Sequence, residues 1–499
     1  MPLPRAWVEA RGLRSDLIAC LTGAMAALAL PPLHVLPVLM VAFPMLLAQI
    51  GAAGTARTAA RRGWCFGFGF HVVGLYWITE AILIEAARFW WLVPLAVPAL
   101  SAVLAVFIAV PAGLAWFGKP GVSRVLTLAG GWVLADLARQ FVATGFPWNP
   151  LGSVWAMPGY MGDVMLQWAS LGSVHALTLA TVLLACAPML NWRGRGLCLA
   201  GLAAWIVFGA IRLADPAPPD QRVRVVLVQG NVAQGQKWNP AFLMTVFERY
   251  LRMTADAVHA AGPGPVAVVW PETASPFQLA TDTAAREAIA MAGRGATVLA
   301  GAVRFDEADR PRNALFGLGR TGDVEALYDK WHLVPFGEYQ PDWLPIGIQL
   351  VPGGGFARGP GPRTLRLPGL PPAGPLICYE AIFPGQVIDR DDRPTWMVNV
   401  TNDAWFGTST GPRQHLAATR LRAVEEGLPL FRAANTGISV AFDAYGREIT
   451  RIGMEETGVR TATLPGGLSP TFFARFGLPV PGLLSLAVFG LGVFTRRLR

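Results

Sequence analysis

Charged residues are scarce in this chain. Asp, Glu, Lys and Arg make up 15% of its 499 residues, whereas ordinary soluble proteins contain about a quarter. The deficit is uneven, because apolar stretches with few charges fill the first 213 residues and recur at the very end, while the middle has ordinary globular content. A purely soluble protein is therefore a poor match, and an integral membrane protein with one large globular domain fits this distribution.

Recognisable metal and nucleotide motifs are also missing. The six histidines are scattered without a His-x-x-x-His pair, and no Cys-x-x-Cys accompanies them. The glycine-rich stretch at 351–356 lacks the Gly-Lys-Ser/Thr of a phosphate-binding loop. We therefore expect no metal site, no bound nucleotide and no other cofactor.

Cysteine is rare as well. Of the five cysteines, only Cys378 lies in the roughly 260 residues between the apolar regions. Extracytoplasmic domains usually pair their cysteines or lack them, so a single thiol there suggests reactivity. By cysteine count alone, a buried and inert thiol is the better interpretation. The residues that accompany Cys378 favour a reactive thiol instead.

Eight apolar segments approach or reach the length of about 20 residues that crosses a bilayer. They cover residues 17–31, 33–52, 63–79, 89–115, 122–138, 164–188, 196–213 and 477–495. A cleaved signal peptide explains the first two less well, because the apolar segment from Leu17 far exceeds a signal core of about 7–15 residues. The sequence thus predicts a seven-helix transmembrane region (1–213), a globular domain (214–476), and an eighth helix with a basic tail (477–499).

The positions of arginine and lysine predict the orientation. They cluster before the first segment, after the second, fourth and sixth, and after the eighth, at Arg5, Arg11, Arg14, Arg57, Arg61, Arg62, Lys119, Arg124, Arg193, Arg195, Arg496, Arg497 and Arg499. By the positive-inside rule, both termini are cytoplasmic and the globular domain lies outside. The net charge of +9 then reflects topology and attraction to anionic lipid, so no nucleic-acid partner is expected.

Strand-like apolar runs alternate with helical stretches in the middle region, which is typical of a layered α/β fold. Strands are predicted at 222–231, 266–270, 297–305, 313–319, 325–329, 375–378, 396–400, 430–434 and 438–442, and helices at about 240–260, 280–294 and 412–426. The segment 339–362, rich in Pro and Gly, interrupts this pattern. Such a loop is either a lid, over the active site or dipping into lipid, or an inert packed loop.

Three chemically useful side chains each stand at the end of a strand-like run: Glu272, Lys330 and Cys378. Acyl transfer through a covalent intermediate needs a nucleophile, a base, and a donor for the developing oxyanion. A glutamate, a lysine and a cysteine supply this set, and a nearby cation lowers a thiol pKa. Singly, a glutamate or lysine at a strand end is more often a solvated or paired charge, and spacing along the chain does not show that the three meet.

The motifs around these residues identify a resemblance. Trp270-Pro-Glu272, Lys330 followed by His332-Leu-Val-Pro-Phe-Gly-Glu338, and Cys378-Tyr-Glu380 occur in the order seen in the carbon–nitrogen hydrolase (nitrilase) superfamily. Over essentially its whole length the chain resembles the bacterial apolipoprotein N-acyltransferase family. Further stretches that carry the likeness are 145–149, 229–231 with Lys237 and Trp238, 399–407, and 432–437. The resemblance implies an extracytoplasmic αββα sandwich domain joined to eight transmembrane helices.

The resemblance also assigns roles to individual residues. Glu272 would be the general base, Lys330 the transition-state stabiliser and Cys378 the nucleophile. It implies auxiliary roles for Glu338, Tyr379 and Glu380, and places Trp148 and Trp238 on the lipid-entry side. For the two tryptophans the alternative is a position at the membrane interface without a catalytic duty, where Trp is enriched.

The implied reaction is a two-step acyl transfer in the bacterial cytoplasmic membrane. Cys378 would take an acyl chain from a phospholipid, with phosphatidylethanolamine the usual donor of the family, and pass it to the α-amine of a diacylated apolipoprotein. A monomer is expected. Two alternatives remain open: a membrane-tethered amidase with water as acceptor, and a transporter or receptor with a catalytically silent outer domain. Few ionisable residues lie inside the predicted spans, which argues against transport.

Overall fold

The computed structural model describes residues 5–8, 10–216, 218–341 and 355–495. They form two compact units. The first unit is drawn from residues up to 215, from 409–417 and from 471 onward, and the second comprises 216–408 and 418–470. The segment 409–417 was expected in the globular domain. Most of the predicted lid at 339–362 lies outside the described residues, as do Arg496, Arg497 and Arg499 of the basic tail.

The first unit is built from helices. These are α1 (Arg5–Val8), α2 (Leu13–Ala26), α3 (Leu39–Gly51), α4 (Ala56–Gly74), α5 (Ile78–Leu83), α6 (Ala86–Phe89), α7 (Val93–Leu104), α8 (Val106–Ala115), α9 (Val122–Arg139), α10 (Tyr160–Leu166), α11 (Ala169–Cys186) and α12 (Trp192–Ala214), followed near the end of the chain by α17 (Phe472–Phe476) and α18 (Pro479–Thr495). Small residues let these helices approach closely. A Cβ on Gly69 of α4 would overlap the backbone carbonyl of Cys20 in α2, which is why α2 and α4 pack along each other.

Within the described residues, three helical stretches are long and apolar enough to cross a membrane: Ala86–Ala115, Ala169–Met189 and Trp192–Ala214. Leu36–Gly51 and Pro479–Thr495 are apolar but shorter. Helix occurs in each of the eight predicted segments, yet several helices are cut short. For example, α2 ends at Ala26, ahead of a prolyl pair at 31–32 that cannot continue a helix. The number eight therefore stays a prediction.

The second unit contains two β-sheets. The strands are β1 (Arg224–Gln229), β2 (Val266–Val269), β3 (Thr297–Phe305), β4 (Pro311–Leu318), β5 (Val324–Asp329), β6 (Ala373–Ile377), β7 (Trp396–Thr401), β8 (Leu430–Ala434), β9 (Ser439–Phe442), β10 (Glu448–Ile452) and β11 (Gly458–Thr463). One sheet has the order β11-β1-β2-β3-β4-β5 and the other β10-β9-β8-β7-β6. Three neighbouring strands of each sheet run parallel: β1-β2-β3 in the middle of the first sheet, and β6-β7-β8 at one side of the second, where β6 is the edge strand.

Four helices complete this unit: α13 (Gln234–Lys237), α14 (Leu243–Ala261), α15 (Thr283–Gly293) and α16 (Gly411–Glu426), of which the first seven residues of α16 belong to the first unit. Both faces of strands β1 and β2 are buried, so their sequences are nearly continuous runs of apolar residues. Alternate residues divide between two cores. Val225, Val269 and Val398 share the core between the sheets, whereas Val226 and Val268 pack on the outer side with α14 and α15.

The unit is thus a sandwich of two sheets with helices outside, as the resemblance implies. All nine strands and three helices predicted in this region are found, with ends that differ by a few residues. Two strands are not among the nine predicted: β10, which pairs with β9, and β11. β11 alternates polar and small residues and is largely exposed, so its sequence lacks an apolar run, but it pairs antiparallel with β1 at the edge of the sheet.

Candidate active site

The ends of three strands hold the predicted catalytic residues. Glu272 follows β2, Lys330 directly follows β5, and Cys378 directly follows β6. Rigid strands that end at a common edge fix side chains more accurately than free loops. All three side chains are buried, with residue exposures of 5%, 1% and 6% respectively. A solvated surface role is therefore excluded for each of them.

Lys330 joins two carboxylates. Its ammonium donates a hydrogen bond to Oε1 of Glu272 at 3.0 Å and to Oε1 of Glu338 at 2.8 Å. Asn313 in β4 donates to the same two oxygen atoms through Nδ2, at 2.7 Å to Glu272 and 3.1 Å to Glu338. The other oxygen of Glu338 accepts from the backbone N–H of Val334 at 2.8 Å, which ties the loop after Lys330 to the site.

This charge arrangement keeps Glu272 and Lys330 ionised. Burial raises the pKa of Glu272, but Lys330 and Lys237, with the hydrogen bonds from Lys330 and Asn313, outweigh burial and bring that pKa below its ordinary value. Burial lowers the pKa of Lys330, but Glu272, Glu338 and Cys378 outweigh it and hold the pKa well above the ordinary value. Glu272 is therefore a carboxylate at rest, ready to accept a proton.

Cys378 occupies a strained turn. It is the first residue of the 3₁₀ turn Cys378–Ile382 and has φ of 50°, in the left-handed region that a non-glycine residue rarely adopts. Burial raises the pKa of its thiol, Glu272 raises it further, and Lys330 and a hydrogen bond with Thr401 oppose the rise. The sulfur is thus a neutral thiol at rest, within electrostatic reach of both Glu272 and Lys330. It needs the base to become a nucleophile.

Glu380 connects the end of β6, which precedes Cys378, to the end of β5, which precedes Lys330. Its carboxylate accepts from the backbone N–H of Ile377 at 2.6 Å on one side and from that of Trp331 at 2.7 Å on the other. The hydroxyl of Tyr328 in β5 donates to it at 3.0 Å. Burial raises the pKa of Glu380 to about 7, although these hydrogen bonds favour the ionised form. Glu380 therefore positions Cys378 relative to Lys330.

Aromatic rings pack beside the nucleophile. His332 stacks on Phe383 with ring centres 3.6 Å apart, and Tyr379 meets Phe383 edge-on at 5.2 Å. Burial lowers the pKa of His332 to about 4, so its imidazole is neutral. Tyr379 itself is 4% exposed. These contacts make the turn after Cys378 rigid and keep water away from that side of the sulfur.

The two tryptophans expected on the lipid-entry side differ in their exposure. Trp238, just beyond α13, is half-exposed in the second unit. Trp148 lies in the first unit and is 3% exposed, which corrects the expectation that it presents its ring to entering lipid. Its indole N–H donates to Oε1 of Gln414 at 2.9 Å, and Trp77 donates to the same oxygen at 3.0 Å. Trp148 is buried because its N–H finds an acceptor there.

Sequence reasoning missed two contributors. Asn313 was read only as the start of a strand, and Lys237 only as part of a matching stretch, because neither stands in a motif that names its chemistry. The Nζ of Lys237 donates to the backbone carbonyl of Glu272 at 2.9 Å, and the side chain is buried. A lysine in an otherwise short polar helix gives no sequence signal of burial, since lysine is almost always exposed.

The assembled geometry is suited to acyl transfer. An ionised carboxylate can take the thiol proton, the sulfur can attack a carbonyl carbon, and the ammonium of Lys330 can stabilise both the thiolate and the oxyanion that follows. The low exposure of the site strengthens these electrostatic interactions and restricts water.

Comparison with known proteins agrees with this chemistry. Residues 22–187 match the apolipoprotein N-acyltransferase N-terminal domain, and residues 224–470 match the carbon–nitrogen hydrolase family. The amidase from Nesterenkonia sp. AN1, whose structure has an active-site cysteine, is 19% identical with a TM-score of 0.37, over 49% of this chain and 93% of that chain. A nitrilase-superfamily protein from Saccharomyces cerevisiae is 17% identical with a TM-score of 0.37, over 52% of this chain and 94% of that chain.

Full-length relatives carry the comparison further. An apolipoprotein N-acyltransferase from Rhodopseudomonas palustris is 39% identical, over 96% of this chain and 95% of the relative. That from Bradyrhizobium diazoefficiens is also 39% identical, over 96% and 94%, and that from Brucella melitensis is 38% identical, over 93% and 92%. On the strength of these matches along nearly its whole length, the chain belongs to the apolipoprotein N-acyltransferase family of acyltransferases, with a carbon–nitrogen hydrolase domain and a membrane-associated helical region.

Proposed function

We propose that this enzyme moves an acyl chain from a membrane phospholipid, by way of a thioester on Cys378, to the α-amine of an S-diacylglyceryl cysteine at the N-terminus of an apolipoprotein. The observation that carries the proposal is the buried pairing of Lys330 with Glu272, beside a thiol whose pKa both residues affect. Membership of the family supports lipoprotein N-acylation, and the chemistry of the site supports the covalent route.

The first half-reaction forms the thioester. Glu272 accepts the proton of the Cys378 thiol, and the resulting thiolate attacks the carbonyl carbon of a phospholipid ester. Lys330 stabilises the negative charge on the tetrahedral oxygen. The C–O bond to glycerol then breaks, and the departing oxygen takes the proton held by Glu272. A lysophospholipid leaves, the carboxylate is restored, and the acyl chain remains on sulfur.

The second half-reaction returns the site to its starting state. The neutral α-amine of the acceptor attacks the thioester carbon, with Lys330 again facing the oxyanion. Glu272 takes a proton from the attacking nitrogen, the C–S bond breaks, and the sulfur recovers that proton. The products are an amide on the lipoprotein and a free thiol on Cys378. Water in place of the amine would release the chain as a free fatty acid, so the enzyme would act as a hydrolase; the alternative amidase would likewise use water as acceptor but would take its acyl group from an amide.

Reconstitution tests this function. The purified protein in vesicles of phosphatidylethanolamine, given a diacylated lipopeptide, should yield N-acylated lipopeptide and lysophospholipid in equal amounts by mass spectrometry. The Cys378→Ala variant should yield neither. Release of free fatty acid at the same rate with and without lipopeptide would favour a hydrolase with water as acceptor, and N-acylation by the Cys378→Ala variant would contradict the covalent route.

For the membrane arrangement, we propose eight transmembrane helices in a monomer, with both termini in the cytoplasm and the second unit on the periplasmic side. The distribution of arginine supports this orientation. A cysteine placed at the exposed Asp220 should react with a membrane-impermeant maleimide in intact spheroplasts, whereas one at the exposed Lys119 should react only after permeabilisation. The reverse labelling pattern would invert the orientation. A dimer mass in detergent would rule out the monomer.

A further inference from the structure

A second buried lysine, Lys237, lies against the general base. Its Nζ donates to the backbone carbonyl of Glu272 at 2.9 Å, and its side chain, 5% exposed, is the one buried residue of the short helix α13. Among the residues that the structure describes, this ammonium makes one hydrogen bond, although it carries three donors. A buried ammonium is costly unless opposite charge compensates it. We therefore asked which charges surround it.

Lys237 adds a second positive charge beside the acids of the site. It is electrostatically coupled to Glu272 and Cys378. Glu272 and Glu338 are both ion-paired with Lys330, so one lysine faces two carboxylates. Glu380, whose pKa is about 7, is a further buried acid coupled to Lys330. Acids therefore outnumber Lys330, and the ammonium of Lys237 offsets part of that excess. Asp403, the remaining charged group coupled to Cys378, is neutralised separately by Arg432 at 2.6 Å.

The segment that carries Lys237 is held firmly in place. The amide of Asn435 both accepts from the backbone N–H of Val232 at 2.9 Å and donates to its carbonyl at 2.7 Å. Asn402 donates to the side chain of Gln234, at the start of α13, at 2.9 Å. Asn402 and Asn435 follow strands β7 and β8 of the second sheet. Their hydrogen bonds hold the segment that leads into α13, so the position of Lys237 is determined by the fold.

We propose that Lys237 is a positioning residue whose positive charge keeps Glu272 ionised and favours the thiolate of Cys378, while its hydrogen bond holds the backbone of the base. The inference deepens the proposed function and rests on its assignment of base and nucleophile. Lys237 acts through Glu272, and the proton itself moves only between Cys378 and Glu272. Burial lowers the pKa of Lys237 to about 8, with Glu272 and Cys378 opposing that effect, so the lysine is charged at neutral pH.

Alkylation of Cys378 by iodoacetamide, followed peptide by peptide with mass spectrometry from pH 5 to 10, tests the charge role without any lipid. Loss of a neighbouring cation should slow alkylation by about tenfold in Lys237→Met and Lys237→Gln below about pH 8, where Lys237 is charged, and the difference from the parent should shrink above pH 8, where Lys237 loses its own proton. Lys237→Arg, which keeps the charge, should stay near the parent. Gln236→Ala, at an exposed neighbour on α13, is the matched control.

A purely structural role predicts a different result. If Lys237 only supports the backbone, the neutral variants alkylate more slowly than the parent by the same factor at every pH, and that outcome overturns the proposal. Lys237→Gln retains a donor, so it keeps the test decisive should Lys237→Met fail to fold. If the parent enzyme forms no acyl adduct from phospholipid, the proposed function fails, while the alkylation profile still decides the role of Lys237.

Discussion

Lys330 donates a 2.8 Å hydrogen bond to Glu338, slightly shorter than its 3.0 Å bond to Glu272. The lysine is therefore held in place by a carboxylate other than the base, and it stays oriented when Glu272 becomes protonated during the reaction. An arrangement with only one carboxylate would lose the lysine's partner at that moment.

Glu338→Gln should separate this anchoring role from folding. Glutamine has one carbonyl oxygen, so it can accept from Lys330 or from Val334 but not from both in this geometry, and it no longer opposes the lysine's charge; we therefore expect acylation of Cys378 to slow by about tenfold to a hundredfold. The measurement is single-turnover acylation with phospholipid, alongside the thermal midpoint. Glu325→Gln, at an exposed position of β5, should match the parent. An unchanged acylation rate in Glu338→Gln would remove Glu338 from the site's function.

Glu272→Gln should block acylation while the protein stays folded. The amide can keep a hydrogen bond to the site, but it cannot take the thiol proton, so we expect a loss of about 10² to 10⁴ in rate. Acyl-adduct formation and a melting curve give the two readouts, with the exposed Glu307→Gln as control. Full activity in Glu272→Gln would assign the base to another residue.

Gly301 is expected to tolerate no side chain. A Cβ there would lie 2.3 Å from the carbonyl oxygen of Pro271 and 2.8 Å from Cα of Glu272, both backbone atoms that cannot rotate away. Gly301→Ala should therefore displace the base and reduce acylation by more than about tenfold, with a loss of about 1–3 kcal/mol in stability. Gly201→Ala on α12, where a Cβ meets open space, is the control. Equal activity of both variants would show that Glu272 does not need its observed position.

Glu380 should make stability depend on pH. Its pKa of about 7 in the folded protein lies above the ordinary carboxyl value of 4.5, so the folded state binds the proton more tightly than the unfolded state. The stability contributed by protonated Glu380 is fully present below about pH 4.5 and is lost as the pH rises through about 7. Thermal midpoints between pH 4.5 and 7.5 should therefore fall more steeply with pH in the parent than in Glu380→Gln. Parallel slopes would contradict the raised pKa.

The two tryptophans should respond differently to mutation. Trp148→Phe removes the indole N–H that donates to Gln414, so it should destabilise the helical unit by about 1–3 kcal/mol. Trp238→Ala, at a half-exposed position, should leave the thermal midpoint near the parent's, and it should raise the KM for phospholipid if the ring lies on the lipid-entry side, as the resemblance implies. Met291→Ala, at an exposed site on α15, controls for loss of surface apolar area. An unchanged KM in Trp238→Ala would remove that residue from donor binding.

Much of the sandwich was predictable because its central strands are buried on both faces. Runs such as Val266–Val269 and Trp396–Thr401 carry a continuous apolar signal that survives without tertiary information. β11 carries no such signal, because an edge strand with one exposed face is specified by its pairing with β1 and not by its own composition. The boundaries of the membrane helices were likewise less predictable, since prolines and close packing shorten them.

The candidate catalytic residues could be proposed from sequence because each stands in a motif, whereas the residues that hold them in place could not. Lys237 and Asn313 act through burial and through contacts with Glu272, from residues far apart in the chain. Neither property is encoded in local residue patterns. For Trp148 the sequence suggested an exposed ring at the membrane interface, but the ring is in the interior. Its indole N–H donates to Gln414, which is distant in the chain.

The central claim is that Cys378 carries the acyl chain between donor and acceptor. Mass spectrometry of the Cys378 peptide, after the purified enzyme is incubated with phosphatidylethanolamine and no acceptor, tests it most directly. We predict an added acyl mass on that peptide that hydroxylamine removes, that disappears when a diacylated lipopeptide is added, and that is absent in Cys378→Ala. N-acylation of the lipopeptide with no acyl mass at Cys378 at any time point, and undiminished in Cys378→Ala, would contradict the claim.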